Sequence, residues 1–160
     1  GGRVPLFSEG RRASGTARVI AVSRRMDLAL LRAPTDFAPA VRAEDAAARS
    51  GLSVRGAGVD ATVGPGLGPL MELSGAVIAP RADLGAYGPG LVVRMPGVRP
   101  GFSGGPVLDG EGRLVGMITA IRSSAAAGGR AATSPADEAF VLRAAEIRAE
   151  ALRLLRAAGD

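Results

Sequence analysis

The chain is 160 residues long and 47% hydrophobic, with no cysteine and a formal charge of +5 in which every basic residue is arginine. This length and apolar content fit one globular domain with a substantial core and exclude a disordered tail. The lack of cysteine excludes disulfides, thiolate metal sites and a thiol nucleophile, and leaves the redox compartment open.

No apolar run approaches the roughly 18 residues that span a bilayer, so no membrane segment is expected in this chain. The arginines stand singly or in pairs, Arg11-Arg12 and Arg24-Arg25 being the densest runs, with one tyrosine and four phenylalanines beside them. So little aromatic surface offers bases nothing to stack upon, and no nucleic-acid partner is expected.

Twenty-four glycines and eleven prolines punctuate short apolar runs, which predicts many strands joined by tight turns and an all-β body. Thr16 to Val22 reads as a strand, and Leu28 to Leu31, stopped by Pro34, as a second, with Ser23-Arg24-Arg25 turning between them. Residues 36–50, rich in Ala, Asp and Glu, form a connection, either a linker across the surface or a short helical turn. Leu52 to Val59 and Leu70 to Ile78 are strand-like on either side of the glycine- and proline-rich loop from Gly64 to Pro69. Leu91 to Met95 is a further strand. Pro106-Val107-Leu108 and Leu114 to Ala120 flank Asp109-Gly110-Glu111-Gly112, whose residue types suit a hairpin turn.

Ser123 to Asp137 is small and glycine-bearing, and is expected to be a mobile loop. Ala139 to Leu142 is a last strand. From Ala144 to Ala158 the apolar Ile147, Ala151, Leu154, Leu155 and Ala158 share one face, Glu150 and Arg153 lie one turn apart, and Gly159 stands where a C-terminal cap belongs. One amphipathic helix therefore closes the chain. No period of roughly 20–50 residues recurs, so no repeat architecture is expected.

The chemistry concentrates in two segments. A serine hydroxyl is a poor nucleophile unless a base takes its proton during attack, and the oxyanion that forms needs donors already aimed at it. In Gly101-Phe102-Ser103-Gly104-Gly105-Pro106 the glycines free the backbone to present N–H groups and to pack closely behind the serine. By itself such a loop is equally a flexible turn.

Pro100 to Asp109, followed by Gly112-Arg113-Leu114-Val115-Gly116-Met117-Ile118-Thr119, resembles the nucleophile loop and following strand of chymotrypsin-like serine peptidases, and in particular bacterial HtrA-type and related trypsin-like members. Arg25-Met26-Asp27-Leu28-Ala29-Leu30-Leu31 resembles the strand T-D-L-A-L-L of that family, and Ala139-Phe140-Val141-Leu142 before a helix resembles its C-terminal end.

The resemblance implies an all-β, two-barrel fold with a C-terminal α-helix, the first barrel incomplete. Residues 1–35 are then the remainder of the N-terminal barrel, 36–50 the inter-barrel connection, 51–143 the C-terminal barrel and 144–160 the helix. It implies Ser103 as nucleophile, Asp27 as the carboxylate that orients the base, and the N–H groups of Gly101 and Ser103 as oxyanion hole. Thr119 falls where the family has a small hydroxyl residue, and Ala120 and Ile121 where its strand pairs with substrate backbone. Gly97 falls at the base of the pocket for the residue preceding the cleaved bond, where glycine in place of an acidic residue implies a small or aliphatic preference.

Two departures accompany these matches. Phe102 replaces the Asp or Asn usual before the nucleophile, so activation by a freshly cut N-terminus that pairs there is not expected. The chain also contains no histidine. By resemblance the histidine lies upstream of the aspartate, at a position that would precede Gly1.

The expected function is a serine endopeptidase acting through an acyl-enzyme on Ser103 in a longer protein, this chain being a fragment that lacks the histidine. The alternative is a catalytically inactive pseudopeptidase serving as a peptide-binding or regulatory module. A protein or peptide substrate is implied, with no cofactor and no metal. A periplasmic or surface location follows from resemblance alone.

Overall fold

The computed structural model describes residues 2–8, 11–34, 45–63, 68–122 and 136–159. Much of the segment read as an inter-barrel connection, most of the loop from Gly64 to Pro69 and nearly all of the loop from Ser123 to Asp137 lie outside these residues.

Three strands open the chain: β1 (Arg3–Ser8), β2 (Arg11–Val22) and β3 (Ala29–Arg32). They form one antiparallel sheet in the order β1-β2-β3. The strand β1 is not anticipated from sequence, because Pro5 interrupts its pattern. Proline is tolerated at sheet edges, where its missing N–H need not serve a neighbour, and among the described residues β1 pairs on one side only.

Six strands then close a barrel. They are β4 (Ser53–Val59), β5 (Leu70–Asp83), β6 (Pro89–Arg94), β7 (Pro106–Leu108), β8 (Leu114–Arg122) and β9 (Glu138–Arg143), in the order β4-β5-β6-β9-β8-β7, with β7 returning to pair with β4. Pro106 to Leu108 and Leu114 to Ala120 form the hairpin β7–β8. The strand β5 continues past Ile78 through Pro80, which it accommodates where its register with β6 shifts between Ala79 and Ala82.

Side chains alternate across β6 and divide the interior into two clusters. Leu91 and Val93 point into the barrel with Val54, Val77, Met95, Phe102, Val107 and Ile118. Val92 points outward and packs with Met26, Leu84 and Leu142. This second cluster seats the turn between β2 and β3 on the outside of the barrel.

The helix α1 (Ala144–Gly159) follows β9 directly and packs against both units. Gly159 lies within it rather than beyond its end. Leu154 is buried as expected, but Leu155 is 49% exposed. Glu150, one turn before Leu154 and so at the edge of the apolar face, is only 6% exposed. A polar partner on the neighbouring turn accounts for its position.

Candidate active site

The segment from Met95 to Gly105 is a chain of tight turns laid on the outer end of β4. Val98 N–H donates to the Met95 carbonyl at 3.1 Å, Phe102 N–H to Arg99 at 3.2 Å and Gly105 N–H to Phe102 at 2.9 Å. Two backbone bonds tie this segment to β8: Gly104 N–H donates to the Ile118 carbonyl at 2.7 Å, and Ile118 N–H to that of Gly105 at 2.9 Å.

Phe102, next to Ser103, is completely buried. Its ring lies where Gly58 leaves room, since a Cβ at Gly58 would stand 2.5 Å from the Phe102 ring. Burying a phenylalanine stabilises by roughly 1.5–3 kcal/mol, so an apolar anchor holds the loop.

On the other side, residues 59–61 run beside the loop. Val59 N–H donates to the Gly101 carbonyl at 3.2 Å and Ala61 N–H to that of Pro100 at 3.0 Å. Gly101 has φ +103°, and a Cβ there would meet the Val59 carbonyl oxygen at 1.9 Å. Both its conformation and its surroundings therefore demand glycine.

A polar clasp reinforces this contact. Arg99 donates through Nε to the Gly97 carbonyl at 3.1 Å and through Nη1 to Asp60 at 3.0 Å. Hydrogen bonds from the Thr62 hydroxyl and N–H, aided by Arg99, hold the Asp60 carboxyl below its ordinary range against the opposing effect of burial. Sequence reading misses Asp60 and Arg99: they are 39 residues apart, and neither stands in a recognisable local pattern.

With these bonds made, the N–H groups of Gly101 and Ser103 have no partner among the described residues. Ser103 is exposed, and its Oγ donates to the Thr119 carbonyl at 3.2 Å. Among the described residues no titratable side chain is hydrogen-bonded to that hydroxyl.

Asp27 reaches the same place from the three-stranded sheet. Ser23 organises its turn: the Ser23 Oγ accepts the N–H groups of Arg25 and Met26 at 3.0 and 3.2 Å, and Ser23 N–H donates to the Leu28 carbonyl at 2.8 Å. The Ser23 hydroxyl in turn donates to Glu150 on α1 at 2.5 Å. Met26, 9% exposed, plugs the turn into the second cluster. Asp27 N–H donates to the Tyr87 carbonyl at 3.1 Å, and the Asp27 carboxylate accepts the Thr119 hydroxyl hydrogen.

Thr119 therefore contacts both candidates, through its carbonyl to Ser103 and through its hydroxyl to Asp27. It can do so because it is the extra residue of a bulge in β8: Ile118 and Ala120 face consecutive residues Val141 and Phe140 of β9. Bulges re-aim side chains and are frequent beside active sites.

Ala120 and Ile121 follow in β8, paired with Phe140 and Ala139. On its other side β8 pairs with β7 only as far as Met117, so beyond Ile118 that edge has no strand partner among the described residues. Gly97 has φ +86°, and a Cβ there would find its nearest neighbours, Arg99 and Leu73, at 3.9 Å. Among the described residues no three His, Cys, Asp or Glu side chains group as metal ligands.

A family model of the trypsin-like peptidase domain matches residues 3–117. A comparison with curated protein sequences finds no match. Among solved structures, the inactive form of the Rv3671c protease of M. tuberculosis is 24% identical with a TM-score of 0.61, over 88% of this chain and 67% of that one. The HtrA-type protease AlgW with decapeptide is 20% identical with a TM-score of 0.68, over 89% of this chain and 41% of that one. The MamO protease domain from Magnetospirillum magneticum, in its apo form, is 22% identical with a TM-score of 0.66, over 91% of this chain and 72% of that one. At these identities the likeness carries the trypsin-like fold, to which the closed barrel, the three-stranded sheet and the C-terminal helix conform. With more than half of its length matched by the family model, the chain belongs to the trypsin-like peptidase family.

Proposed function

We propose that this domain is the nucleophile-bearing part of a serine endopeptidase, with Ser103 attacking the scissile carbonyl. The observation that carries the reading is one hydrogen-bonded connection from Ser103 through Thr119 to Asp27, beside the N–H groups of Gly101 and Ser103, which have no partner among the described residues. In this reading those N–H groups receive the oxyanion, each contributing about 3 kcal/mol of transition-state stabilisation. Asp27 orients a histidine supplied from outside these 160 residues and stabilises the imidazolium that forms when Ser103 gives up its proton.

Until the imidazole arrives, the Ser103 hydroxyl is held by a carbonyl that cannot take its proton. The open edge of β8 at Ala120 and Ile121 is suited to pair with the backbone of an extended peptide, as an added strand. Gly97 leaves room for a small or aliphatic side chain. AlgW has been captured with a decapeptide, which fits a peptide as the ligand of this edge also.

The test is fluorophosphonate labelling. The full-length protein should label at Ser103, and Ser103→Ala should abolish the label. The 160-residue chain alone should stay unlabelled, since loss of a triad member leaves only about 10³–10⁴-fold catalysis over water. Robust labelling of the isolated chain, or a full-length protein that contains a histidine upstream of Asp27 and does not label, overturns the reading. A full-length protein with no such histidine that binds peptides without cutting them is the pseudopeptidase.

A further inference from the structure

In the sequence the arginines look scattered, but their charge is not evenly shared. Residues 1–34 hold seven arginines against two carboxylates, Glu9 and Asp27, which accounts for the whole formal charge of +5. The rest of the chain carries thirteen arginines and thirteen carboxylates and is neutral. Asymmetry of this kind points to a polyanionic partner rather than to a compositional habit, which would spread charge along the whole chain.

Strand register then gathers three of these arginines into a line. Arg3 on β1 faces Arg18 on β2, and Arg18 faces Arg32 on β3. Directly opposed residues in antiparallel strands share a face with Cβ atoms about 5 Å apart, so three arginine side chains leave the sheet side by side. All three residues are exposed, and none takes part in an ion pair among the described residues. Like charges directly opposed in a sheet destabilise it, and nothing within the described structure relieves them. Arg18, in the middle, borders an open cleft of about 320 Å³ with Val19, Ile20 and Ala158.

We propose that the Arg3–Arg18–Arg32 row is a binding site for a linear phosphate polyanion of the inorganic polyphosphate type, lying across the three strands. Guanidinium groups bind phosphate oxygens in pairs, with charge-assisted hydrogen bonds. Phosphates joined directly through bridging oxygens match a row of closely spaced cations better than a nucleotide chain, whose phosphates are separated by sugars. None of the described residues bordering Arg18 in the cleft is aromatic, so among them bases find nothing to stack upon. Arg32 is five residues beyond Asp27, roughly 15 Å along extended chain, so the row is separate from Ser103 and does not depend on the reading of that site.

The experiment titrates the 160-residue chain with long-chain inorganic polyphosphate at several salt concentrations. Binding is expected, with the logarithm of affinity falling with the logarithm of salt at a slope near −2, as three phosphate contacts would give. Arg18→Gln should weaken binding at least tenfold and flatten the slope, while raising the melting temperature of the free chain by removing both like-charge contacts. Arg81→Gln on β5 makes the same change in net charge away from the row and should leave affinity unchanged. Equal loss from Arg18→Gln and Arg81→Gln overturns the site, as does absence of binding at low salt. Equal or tighter binding of single-stranded oligothymidylate or of vesicles rich in phosphatidylglycerol overturns its assignment to a polyphosphate chain.

Discussion

Thr119 and Asp27, 92 residues apart, are joined by a hydrogen bond from the threonine hydroxyl to the carboxylate, and that bond ties the three-stranded sheet to the closed barrel. Thr119 is only 7% exposed, whereas Asp27 is exposed. Thr119→Val keeps the shape and removes the donor, and it should lower unfolding free energy by about 1–2 kcal/mol in denaturant titration. Thr119→Ser should retain most of the stability. The decisive comparison is a double-mutant cycle with Asp27→Asn: coupling below about 0.5 kcal/mol would show that the bond contributes nothing.

The loop glycines make a graded prediction. Gly104 has φ +86° but open space where a Cβ would stand, so Gly104→Ala should cost only the conformational strain of about 1–2 kcal/mol. Gly101 has φ +103° and the Val59 carbonyl oxygen 1.9 Å from the Cβ position. Gly101→Ala therefore adds a backbone collision that moves residues 59–61 or the loop itself. It should cost clearly more than Gly104→Ala, and the crosspeaks of Val59 and Ala61 should shift in amide NMR spectra. Equal costs would mean that the loop does not rest on residues 59–61.

These relationships differ in how far a reader of the sequence can anticipate them. Ser103 and Asp27 are legible because each sits in a local pattern, a glycine-rich turn and an acidic residue before an apolar strand. The hairpin at Asp109 is legible for the same reason: its carboxylate accepts the N–H groups of Glu111 and Arg113 within the turn. Asp60 and Arg99 are not, because their pairing is created only when the loop folds back on β4. The row of Arg3, Arg18 and Arg32 depends on strand register, which a strand broken by Pro5 does not reveal. The bond between Glu150 and Ser23 is hidden as well, since the two stand 127 residues apart on different elements.

Phe102 tests whether the loop is held by an apolar anchor. Its side chain is fully buried against the space left by Gly58, so Phe102→Ala should cost about 3–5 kcal/mol. Phe102→Leu should cost much less. Phe102→Asp buries a charge with no partner among the described residues, and it should be worse than alanine. If Phe102→Asp proves as stable as the parent chain in thermal unfolding, an unrecognised cation lies near residue 102 and the anchor is not apolar.

Glu150 sets an acid limit on the link between α1 and the Asp27 turn. Hydrogen bonds from Arg153, and after them Ser23, bring its carboxyl down to about 2 from an ordinary value of 4.5, against the opposing effect of burial. Because the folded-state value is the lower one, this interaction stabilises fully above the unfolded value and is lost as pH falls from about 4.5 toward 2. The parent chain should therefore lose stability progressively through that window. Glu150→Gln should cost about 1–3 kcal/mol near neutral pH, by leaving hydrogen-bonding groups on Ser23 and Arg153 poorly satisfied, and should show a shallower acid dependence. Since the Ser23 hydroxyl also accepts the N–H groups of Arg25 and Met26, amide exchange at those two residues should quicken in Glu150→Gln while exchange within the barrel stays unchanged. Unaltered exchange at Arg25 and Met26 would mean that the helix does not brace the turn carrying Asp27.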